Sequence, residues 1–398
     1  MSVVVTGIGC VSAIGCDVEE HLQAFRAGRN GLGKISPFQS QLQVPVAEVK
    51  LSNEQLKSAL SLSDHSIYSR TALLGMIASQ QAFQDAKLST NSLRIGVISS
   101  SSVGGMDLSE LHYSEYVENP TKVRVRPFAH HDIGDHTEQI CNYLQLSGFR
   151  TSISTACSSA ANAIMLAARM IKQGRLDAVI AGGTDALCRF TLNGFNSLMI
   201  LDSEPCRPFD ESRAGLNLGE GAGYIVLQSE KTVADKSQIY CRLIGFANAN
   251  DAFHQTASSP EGEGAFLAMK NALDRAGISP SEVDYINAHG TGTSNNDLSE
   301  STAIKRLFGE NIPKFSSTKS FTGHTLGAAG GLEAIFSILS IKEKLIFPNL
   351  NFKTPIEQTK LIPVTEILEN QAVKTVLSNS FGFGGNNASL IFQQYRHE

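Results

Sequence analysis

Short, mostly apolar runs rich in β-branched residues alternate along this chain with longer segments whose apolar positions recur every three or four residues. The runs 94–100 and 177–181 predict buried strands. Segments 71–88 and 265–276 have apolar residues at helical spacing and predict helices. This alternation is typical of an α/β fold, in which layers of helices cover a sheet.

A faint internal repeat predicts that the chain has two halves. A strand, a polar turn and a helix of small residues follow one another at 152–171 and again at 315–341. We place the boundary at the end of the polar stretch 229–238, so the predicted halves are residues 1–238 and 239–398. The sequence has no linker or low-complexity segment between them, so we expect one compact body in which each half contributes one side of a site.

Composition narrows the class of protein. With 398 residues, 42% of them hydrophobic and 18% charged, the chain can bury a large interior. A net charge of -5 argues against broad nucleic-acid binding, which needs a basic face. Seven irregularly spaced cysteines fit a reducing compartment. The N-terminus predicts a strand rather than a signal peptide, and no apolar run has membrane-spanning length, so we expect a cytoplasmic protein without a membrane partner.

Cys157 is the strongest candidate for chemistry. It lies in the segment 154–161, where a polar run ends a predicted strand and a helix of small residues begins. The first turn of a helix leaves N–H groups unpaired and carries partial positive charge, so a sulfur there ionises more readily and a nearby amide can hold an oxyanion. A lone cysteine is more often a small buried side chain, so partners must decide its function.

Two downstream segments supply candidate partners. His289 lies in the segment 287–293 and His324 in the segment 317–327, each beside glycines and hydroxyl residues where an apolar strand gives way to a loop or helix. Loops at strand ends are where catalytic groups are usually presented. We therefore treat Cys157 and the two histidines as one candidate site.

Motifs along nearly the whole chain resemble those of the elongating, KAS II-like β-ketoacyl-acyl-carrier-protein synthases, the decarboxylating condensing enzymes of fatty acid and polyketide synthesis. The motifs lie at 5–9, 155–159, 207–210, 219–223, 287–293, 319–327 and 379–386. The resemblance implies the thiolase fold, an α/β fold in which two similar βαβ halves form a layered αβαβα core.

The same resemblance implies an acyltransferase that joins a cysteine-bound acyl group to malonyl-acyl-carrier protein with loss of carbon dioxide. Cys157 corresponds to the acyl carrier of the enzyme. His289 and His324 correspond to paired imidazoles that polarise the malonyl thioester and stabilise its enolate, and they act best when neutral and donating. Two histidines are typical of the elongating class, whereas initiating synthases pair a histidine with an asparagine.

Further catalytic and supporting roles are implied for residues near these motifs. Lys319 is placed in the catalytic group, with Glu333 neutralising its charge; an ordinary salt bridge at a helix start is the alternative. Phe383 lies in the glycine-rich loop 381–385, where its N–H would pair with that of Cys157 as an oxyanion hole and its ring would gate the acyl pocket.

Substrate contacts are implied as well. Thr291 and Thr293 resemble residues that hydrogen-bond a pantetheine arm, with loop capping as the alternative. Val103 matches the position that controls pocket depth, and Phe195 and Phe381 are assigned to the substrate site. No metal or organic cofactor is expected, because two imidazoles and two amides supply the electrostatics. The expected partners are an acyl carrier protein bearing a phosphopantetheine arm and a second ketosynthase chain, in a homodimer or heterodimer.

Two stretches depart from the family pattern. Residues 294–296 read Ser-Asn-Asn where relatives more often have a proline and a glycine, so we expect an entrance of different shape. The stretch 130–136 holds three histidines and two aspartates and is unusually polar. Helical spacing would place Asp132 beside His136. A solvated or interface helix, a polar wall of the acyl pocket and a metal site are the alternatives, and we assign no metal ligand.

Other functions leave different marks on a sequence. A biosynthetic thiolase should carry a second catalytic cysteine near its C-terminal glycines, and no cysteine follows Cys241. A non-catalytic chain-length subunit would normally lack the nucleophile that Cys157 provides. A specialised ketosynthase of an aryl polyene-type pathway is the alternative to primary fatty acid synthesis, and the segments 189–196 and 130–136 suggest it.

Overall fold

The structure is a computed structural model that describes residues 2–88, 93–121 and 125–396. Within these ranges the strands are β1 (Val3–Ser12), β2 (Leu32–Gly33), β3 (Val46–Ala47), β4 (Ile95–Ser100), β5 (Arg150–Ile153), β6 (Ala178–Asp185), β7 (Gly221–Ser229), β8 (Cys241–Asn250), β9 (Tyr285–Asn287), β10 (Lys314–Ser316), β11 (Thr375–Gly382) and β12 (Asn386–Gln394).

The α-helices in the described ranges are α1 (Val18–Arg26), α2 (Asn53–Ala59), α3 (Arg70–Asp85), α4 (Met106–Glu118), α5 (Asp135–Tyr143), α6 (Ser159–Lys172), α7 (Arg189–Ser197), α8 (Glu263–Ala276), α9 (Ser294–Phe308), α10 (Lys319–Thr322) and α11 (Ala329–Glu343). The predicted strands at 94–100 and 177–181 correspond to β4 and β6, and the predicted helices at 71–88 and 265–276 correspond to α3 and α8. None of the helices in the described part of the chain is long and apolar enough to cross a membrane.

Ten strands of the described residues form one sheet whose two halves repeat the same order. The order across the sheet is β10-β9-β11-β12-β8-β1-β7-β6-β4-β5. In each half the three strands farthest from the centre are parallel, and the two nearest the centre are antiparallel to their neighbours. The halves meet where β1 pairs with β8 at Val4–Arg242 and Val5–Cys241. The two similar halves predicted from the repeat are therefore present.

The boundary between the halves lies in the connection from β7 to β8. The predicted limit after residue 238 falls inside this connection, and its use as a domain boundary stays a prediction. Strands β6 and β7 are buried along their whole length, which explains why their sequences are mostly apolar runs that end in polar residues instead of alternating.

Two helices rich in small residues, α6 and α11, pack against each other and against strands of both halves. Their approach is close: a Cβ on Gly223 of β7 would lie 2.5 Å from the backbone nitrogen of Leu332 in α11. Helix α3 covers the other face of the first half, and α8 covers the other face of the second. The result is the αβαβα layering that the resemblance implied, with α6 and α11 in the middle layer.

Candidate active site

Cys157 lies on a tight turn between β5 and α6. The preceding residue, Ala156, has φ of 52°, a left-handed conformation that is unfavourable for a residue with a side chain. Ser159 stabilises the turn, because its hydroxyl accepts a hydrogen bond from the Thr155 N–H at 2.8 Å and donates to the Ala156 carbonyl at 2.5 Å. Cys157 therefore lies at the N-terminal end of α6, as predicted, and the residue is 4% exposed.

Asn386 connects this turn to the glycine-rich loop of the other half. Its Oδ1 lies 2.7 Å from the Ser158 hydroxyl, 2.9 Å from Asn162 Nδ2 and 2.7 Å from Asn248 Nδ2. The first two groups belong to the start of α6, and Asn386 directly follows the loop. This network keeps the nucleophile and the glycine-rich loop in a fixed relative position.

The glycine-rich loop approaches the sulfur with its backbone. The N–H of Phe383 faces the Cys157 thiol and acts to lower its pKa. Gly384 and Gly385 have φ of 79° and 74°, which glycine adopts without strain and which lets the loop turn back over the sulfur. The Phe383 ring stacks on Phe195 of α7, with ring centroids 5.7 Å apart.

His324 lies beside the sulfur, and its tautomer is determined by the backbone. Its Nε2 is 3.0 Å from Cys157 Sγ, and its Nδ1 accepts the N–H of Leu326 at 3.2 Å. Because Nδ1 accepts, the neutral ring carries its hydrogen on Nε2 and donates it toward the sulfur.

His289 has the same tautomer for a different reason. Lys319 Nζ donates to His289 Nδ1 at 3.1 Å and to the carbonyl of the same residue at 2.7 Å. The rings of His289 and His324 meet edge to face, with centroids 5.3 Å apart. One ligand-type atom each of Cys157, His289 and His324 lies within 4.8 Å of the others. The structure therefore brings the three predicted side chains together.

Burial sets the protonation of this group. Burial lowers the pKa of both His289 and His324 well below the ordinary value for histidine, and the charge of Lys319 lowers it further, so both rings are neutral at neutral pH. Burial also raises the pKa of Cys157 to about 12, although Lys319 and the Phe383 N–H act in the opposite direction. The sequence-based expectation of a readily ionised sulfur is therefore wrong for the closed site, because desolvation outweighs the helix terminus.

Lys319 and Glu333 form a buried ion pair behind the imidazoles. Both side chains are buried, and the ammonium uses its three N–H groups on Glu333, His289 Nδ1 and the His289 carbonyl. Burial raises the pKa of Glu333 to about 7 against the opposing effect of Lys319. Lys319 lies five residues before His324 in the chain, but its ammonium contacts His289.

Two buried carboxylates of α9 hold the His289 loop and were not singled out from the sequence. Glu300 accepts the N–H groups of His289 at 2.9 Å and Gly290 at 2.8 Å, and Asp297 accepts the N–H of Thr291 at 2.9 Å. Burial raises the pKa of Glu300 to about 7. Acidic residues one turn apart at the start of a helix that follows a glycine-rich loop are a signal that could have identified them.

In the first half, a buried carboxylate at the end of β6, Asp185, likewise accepts hydrogen bonds from loops of the site. It accepts the N–H of Ser102 at 2.9 Å, the hydroxyl of Ser101 at 2.5 Å and the N–H of Gly327 at 2.6 Å. It thus ties the loop after β4 to the loop that carries His324. Burial raises the pKa of Asp185 to about 6.

A cavity of about 210 Å³ opens onto Cys157. Among its lining residues are most of the predicted site residues: Cys157, Phe195, His289, Thr291, Thr293, His324, Phe381 and Phe383. Lys319 and Glu333 lie behind the histidines and do not line this cavity. Val103 does not line it either; its N–H lies 3.4 Å from Asp185, and its role in pocket depth stays a prediction.

The segment 294–296, which departs from the family pattern, lies at the mouth of this cavity. Asn295, in the first turn of α9, accepts the N–H of Ser258 at 2.6 Å and donates to the Ser258 carbonyl at 3.0 Å. These two bonds hold the loop of Ser258 against the start of α9. The hydroxyls of Thr291 and Thr293 lie 2.9 Å apart, so each has a protein partner in this state.

The polar stretch 130–136 is not one helix. A short 3₁₀-helix ends at His130 and α5 begins at Asp135, so the predicted helical pairing of Asp132 with His136 is wrong. The three histidines have separate partners: His130 with Asp135 at 3.1 Å, His131 with Ser109 at 2.9 Å and His136 with Ser99 at 2.7 Å. Within the described residues, the possible metal ligands that converge are those of Cys157, His289 and His324, not those of the stretch 130–136.

Known proteins carry the same organisation. The family described as "Beta-ketoacyl synthase, N-terminal domain" matches residues 1–233, and "Beta-ketoacyl synthase, C-terminal domain" matches residues 240–353. The chain is 38% identical to 3-oxoacyl-[acyl-carrier-protein] synthase 2 of Staphylococcus aureus (strain COL), over 99% of this chain and 98% of that protein.

Solved structures agree with this match. One described as the ishigamide ketosynthase/chain length factor has a TM-score of 0.94 and 31% identity, covering 99% of both chains. Another, described as a type II PKS acyl-carrier protein in complex with its ketosynthase bound to the hexaketide, has a TM-score of 0.88 and 28% identity, also covering 99% of both chains.

The fold and these matches define a thiolase-fold condensing enzyme, and the chain belongs to the beta-ketoacyl synthase family. It is a KAS II-like ketosynthase, a transferase of chain elongation. The resemblance drawn from the ordered motifs is therefore confirmed. The thiolase alternative is wrong.

Proposed function

We propose that this ketosynthase holds a growing acyl chain on Cys157 and condenses it with a malonyl group delivered by an acyl carrier protein. The observation that carries the proposal is the convergence of the Cys157 sulfur with the rings of His289 and His324 at the cavity of about 210 Å³. In the first half-reaction the sulfur attacks the acyl thioester, a thioester to Cys157 forms, and the carrier thiol departs with the proton that the cysteine loses.

The second half-reaction uses the two neutral imidazoles. Malonyl thioester loses carbon dioxide, and the electron pair of the broken bond forms an enolate at the thioester oxygen. Hydrogen on both Nε2 atoms is suited to stabilise that oxygen, since the Nδ1 atoms are occupied by Leu326 and Lys319. The enolate carbon then attacks the Cys157 thioester, and the cysteine sulfur leaves as the β-ketoacyl product forms.

The backbone supplies the second element of the proposal. The Phe383 N–H, which faces the sulfur, would pair with the Cys157 N–H as the oxyanion hole for the thioester carbonyl. The stacked Phe195 and Phe383 rings cover this position and would gate the acyl chain. Thr291 and Thr293 would exchange their mutual hydrogen bond for bonds to the pantetheine arm.

Partner and cellular location complete the proposal. The solved relatives described as a ketosynthase with its acyl-carrier protein and as a ketosynthase/chain length factor support a carrier-protein substrate and a dimer with a second ketosynthase-type chain. All seven cysteines of the chain lie in described residues and are free thiols, which supports the cytoplasm. The curated relatives do not favour the aryl polyene alternative.

Intact-mass analysis of the protein mixed with a panel of acyl-carrier thioesters tests the assignment of the nucleophile. Wild type should gain one acyl mass, and Cys157→Ala should gain none. Cys188→Ala is a matched control, because Cys188 is also buried but lies outside the cavity, and this variant should be acylated like wild type. Acylation of Cys157→Ala at the wild-type level would refute the proposed carrier residue.

A further inference from the structure

The three reacting side chains also form a set of metal ligands. A thiol and two imidazoles are the groups that Zn²⁺ prefers, and three protein ligands with one open position is a common zinc geometry. The ligand atoms of Cys157, His289 and His324 already lie within 4.8 Å of one another. Zinc bonds of about 2.0 to 2.3 Å would need them to draw together by only about 1 Å. Metal binding would occupy the sulfur and both rings that the proposed reaction uses.

The hydrogen bonds behind the two rings oppose metal binding. A metal needs the lone pair of Nε2, so each ring would have to move its hydrogen to Nδ1. Metal-binding histidines usually donate that second N–H to a carboxylate or a carbonyl. Here the arrangement is reversed, because Leu326 N–H and Lys319 Nζ both donate to Nδ1. A hydrogen on Nδ1 would face another donor in each case.

Lys319 adds a charge to this obstacle. Its ammonium lies 3.1 Å from His289 Nδ1 and is buried, so water screens it little. A divalent ion on the far side of the same ring would be repelled by this cation. Its counter-ion Glu333 lies on the side of the ammonium and does not line the cavity, so it offers the metal no ligand. Of the two Nδ1 donors, Lys319 is the one that substitution can remove.

We propose that Lys319 excludes zinc-like divalent metal ions from the group formed by Cys157, His289 and His324. Without it, binding would release the thiol proton and move the His289 hydrogen to Nδ1, where the lysine no longer opposes it, so that a thiolate and the His289 imidazole hold the ion. The Leu326 N–H would still oppose the same change in His324. This role rests on the hydrogen bond and the buried charge of Lys319 and is independent of the part that Lys319 takes in condensation. It predicts that loss of the lysine creates a metal site.

Cobalt titration tests this proposal, since Co²⁺ replaces Zn²⁺ and a thiolate–Co²⁺ bond gives a charge-transfer absorption band. The main variant is Lys319→Met with Glu333→Gln, which removes the ion pair as a unit and leaves no unpaired buried charge. Lys319→Gln is a second neutral variant in case the first does not fold. We expect either folded variant to bind Co²⁺ about 10- to 100-fold more tightly than wild type and to show the band.

Three controls make the result specific. Addition of Cys157→Ala should remove the band, addition of Cys188→Ala, which changes a buried cysteine outside the cavity, should keep it, and excess Zn²⁺ should displace it. Wild type that binds Co²⁺ through Cys157 as tightly as the variants would overturn the proposal. A folded lysine variant with a reactive Cys157 thiol and no band would overturn it as well.

Discussion

The two halves of the sheet have the same strand order but carry different parts of the chemistry. In the first half the connection 154–158 runs directly from β5 into α6 and presents Cys157. In the second half the connection 317–328 between β10 and α11 is longer and contains the short helix α10. This extra turn lets one connection provide two functional residues, Lys319 behind His289 and His324 beside the sulfur.

The longer connection is held against the first half. The N–H of His324 donates to the Asn217 carbonyl at 2.7 Å, and its carbonyl accepts the Gly219 N–H at 3.0 Å. Buried carboxylates also hold corresponding loops in the two halves. Asp185 accepts hydrogen bonds from the loop after β4, and Glu300 accepts hydrogen bonds from the loop after β9, which carries His289. The two similar halves thus have equivalent loop positions, and a buried carboxylate holds each of these loops in place.

Loss of His324 should separate the two halves functionally and have the largest effect. His324→Ala should keep acylation of Cys157, because the nucleophile and the Phe383 N–H belong to other segments. It should lower carbon dioxide release from malonyl-acyl-carrier protein by about 10²- to 10³-fold, the usual effect of removing one oxyanion donor. Intact mass measures the first step and carbon dioxide release the second.

The matched control for this prediction is Cys157→Ala, which should lose acylation while both imidazoles remain. If His324→Ala released carbon dioxide at the wild-type rate, the division of tasks between the halves would be wrong.

Removing the Glu300 or the Asp185 carboxylate should lower activity less than removing His324 does, and each substitution should act mainly on one half of the protein. Glu300→Ala leaves the N–H groups of His289 and Gly290 unpaired, at about 1–3 kcal/mol of unfolding free energy each. A shifted His289 should lower decarboxylation by up to about 100-fold and leave acylation of Cys157 intact. Asp185→Ala should destabilise the protein similarly and alter which acyl lengths load, because it frees the loop of Val103. It should lower decarboxylation less than Glu300→Ala does, because the loop that carries His324 loses the bond from Gly327 but keeps its bonds to Asn217 and Gly219.

Urea unfolding, carbon dioxide release and an acyl-length panel distinguish these two variants. Equal effects of both substitutions on loading and on decarboxylation would show that the clamps do not act on separate halves.

Two buried histidines of the first half allow a test by pH. His136 of the first half is buried away from the active-site cavity, and burial lowers its pKa to about 4. Between pH 6.5 and 4 the unfolded chain takes up a proton that the folded chain does not, so this residue makes wild type less stable as the pH falls. His136→Asn should therefore be less stable than wild type at pH 7, with a deficit that shrinks by about 1.4 kcal/mol per pH unit below pH 6.5.

Urea unfolding of both proteins at a series of pH values from 7 to 4.5 measures this difference. His21→Asn should behave in the same direction, because burial also lowers the pKa of His21 to about 4. A deficit that is constant over the pH series would contradict the assignment.

Local pattern was sufficient for many features of this protein. The strands and helices at 94–100, 177–181, 71–88 and 265–276 were predictable because buried faces impose their own period on the sequence. The repeat of strand, turn and small-residue helix predicted two similar halves. Ordered motifs placed Cys157, His289 and His324 in one site although they are far apart in the chain.

Contacts between distant segments could not be read in this way. Nothing near Lys319 in the chain shows that it serves His289, since that depends on how β9 and β10 lie side by side. Burial of the sulfur, which raises the pKa of Cys157, depends on residues from both halves that lie around it. His136 looked like part of a polar surface, yet α5 turns it onto Ser99 of β4.

The sequence by itself determined the fold class and the family and selected the three side chains of the proposed site, because periodicity and glycine-rich motifs are local properties of the chain. Only the tertiary structure decided the tautomers of the imidazoles, the partner of the buried lysine and the carboxylate clamps. Hydrogen bonds and desolvation depend on which distant groups are brought within about 3 Å of one another, and the chain order does not specify these distances.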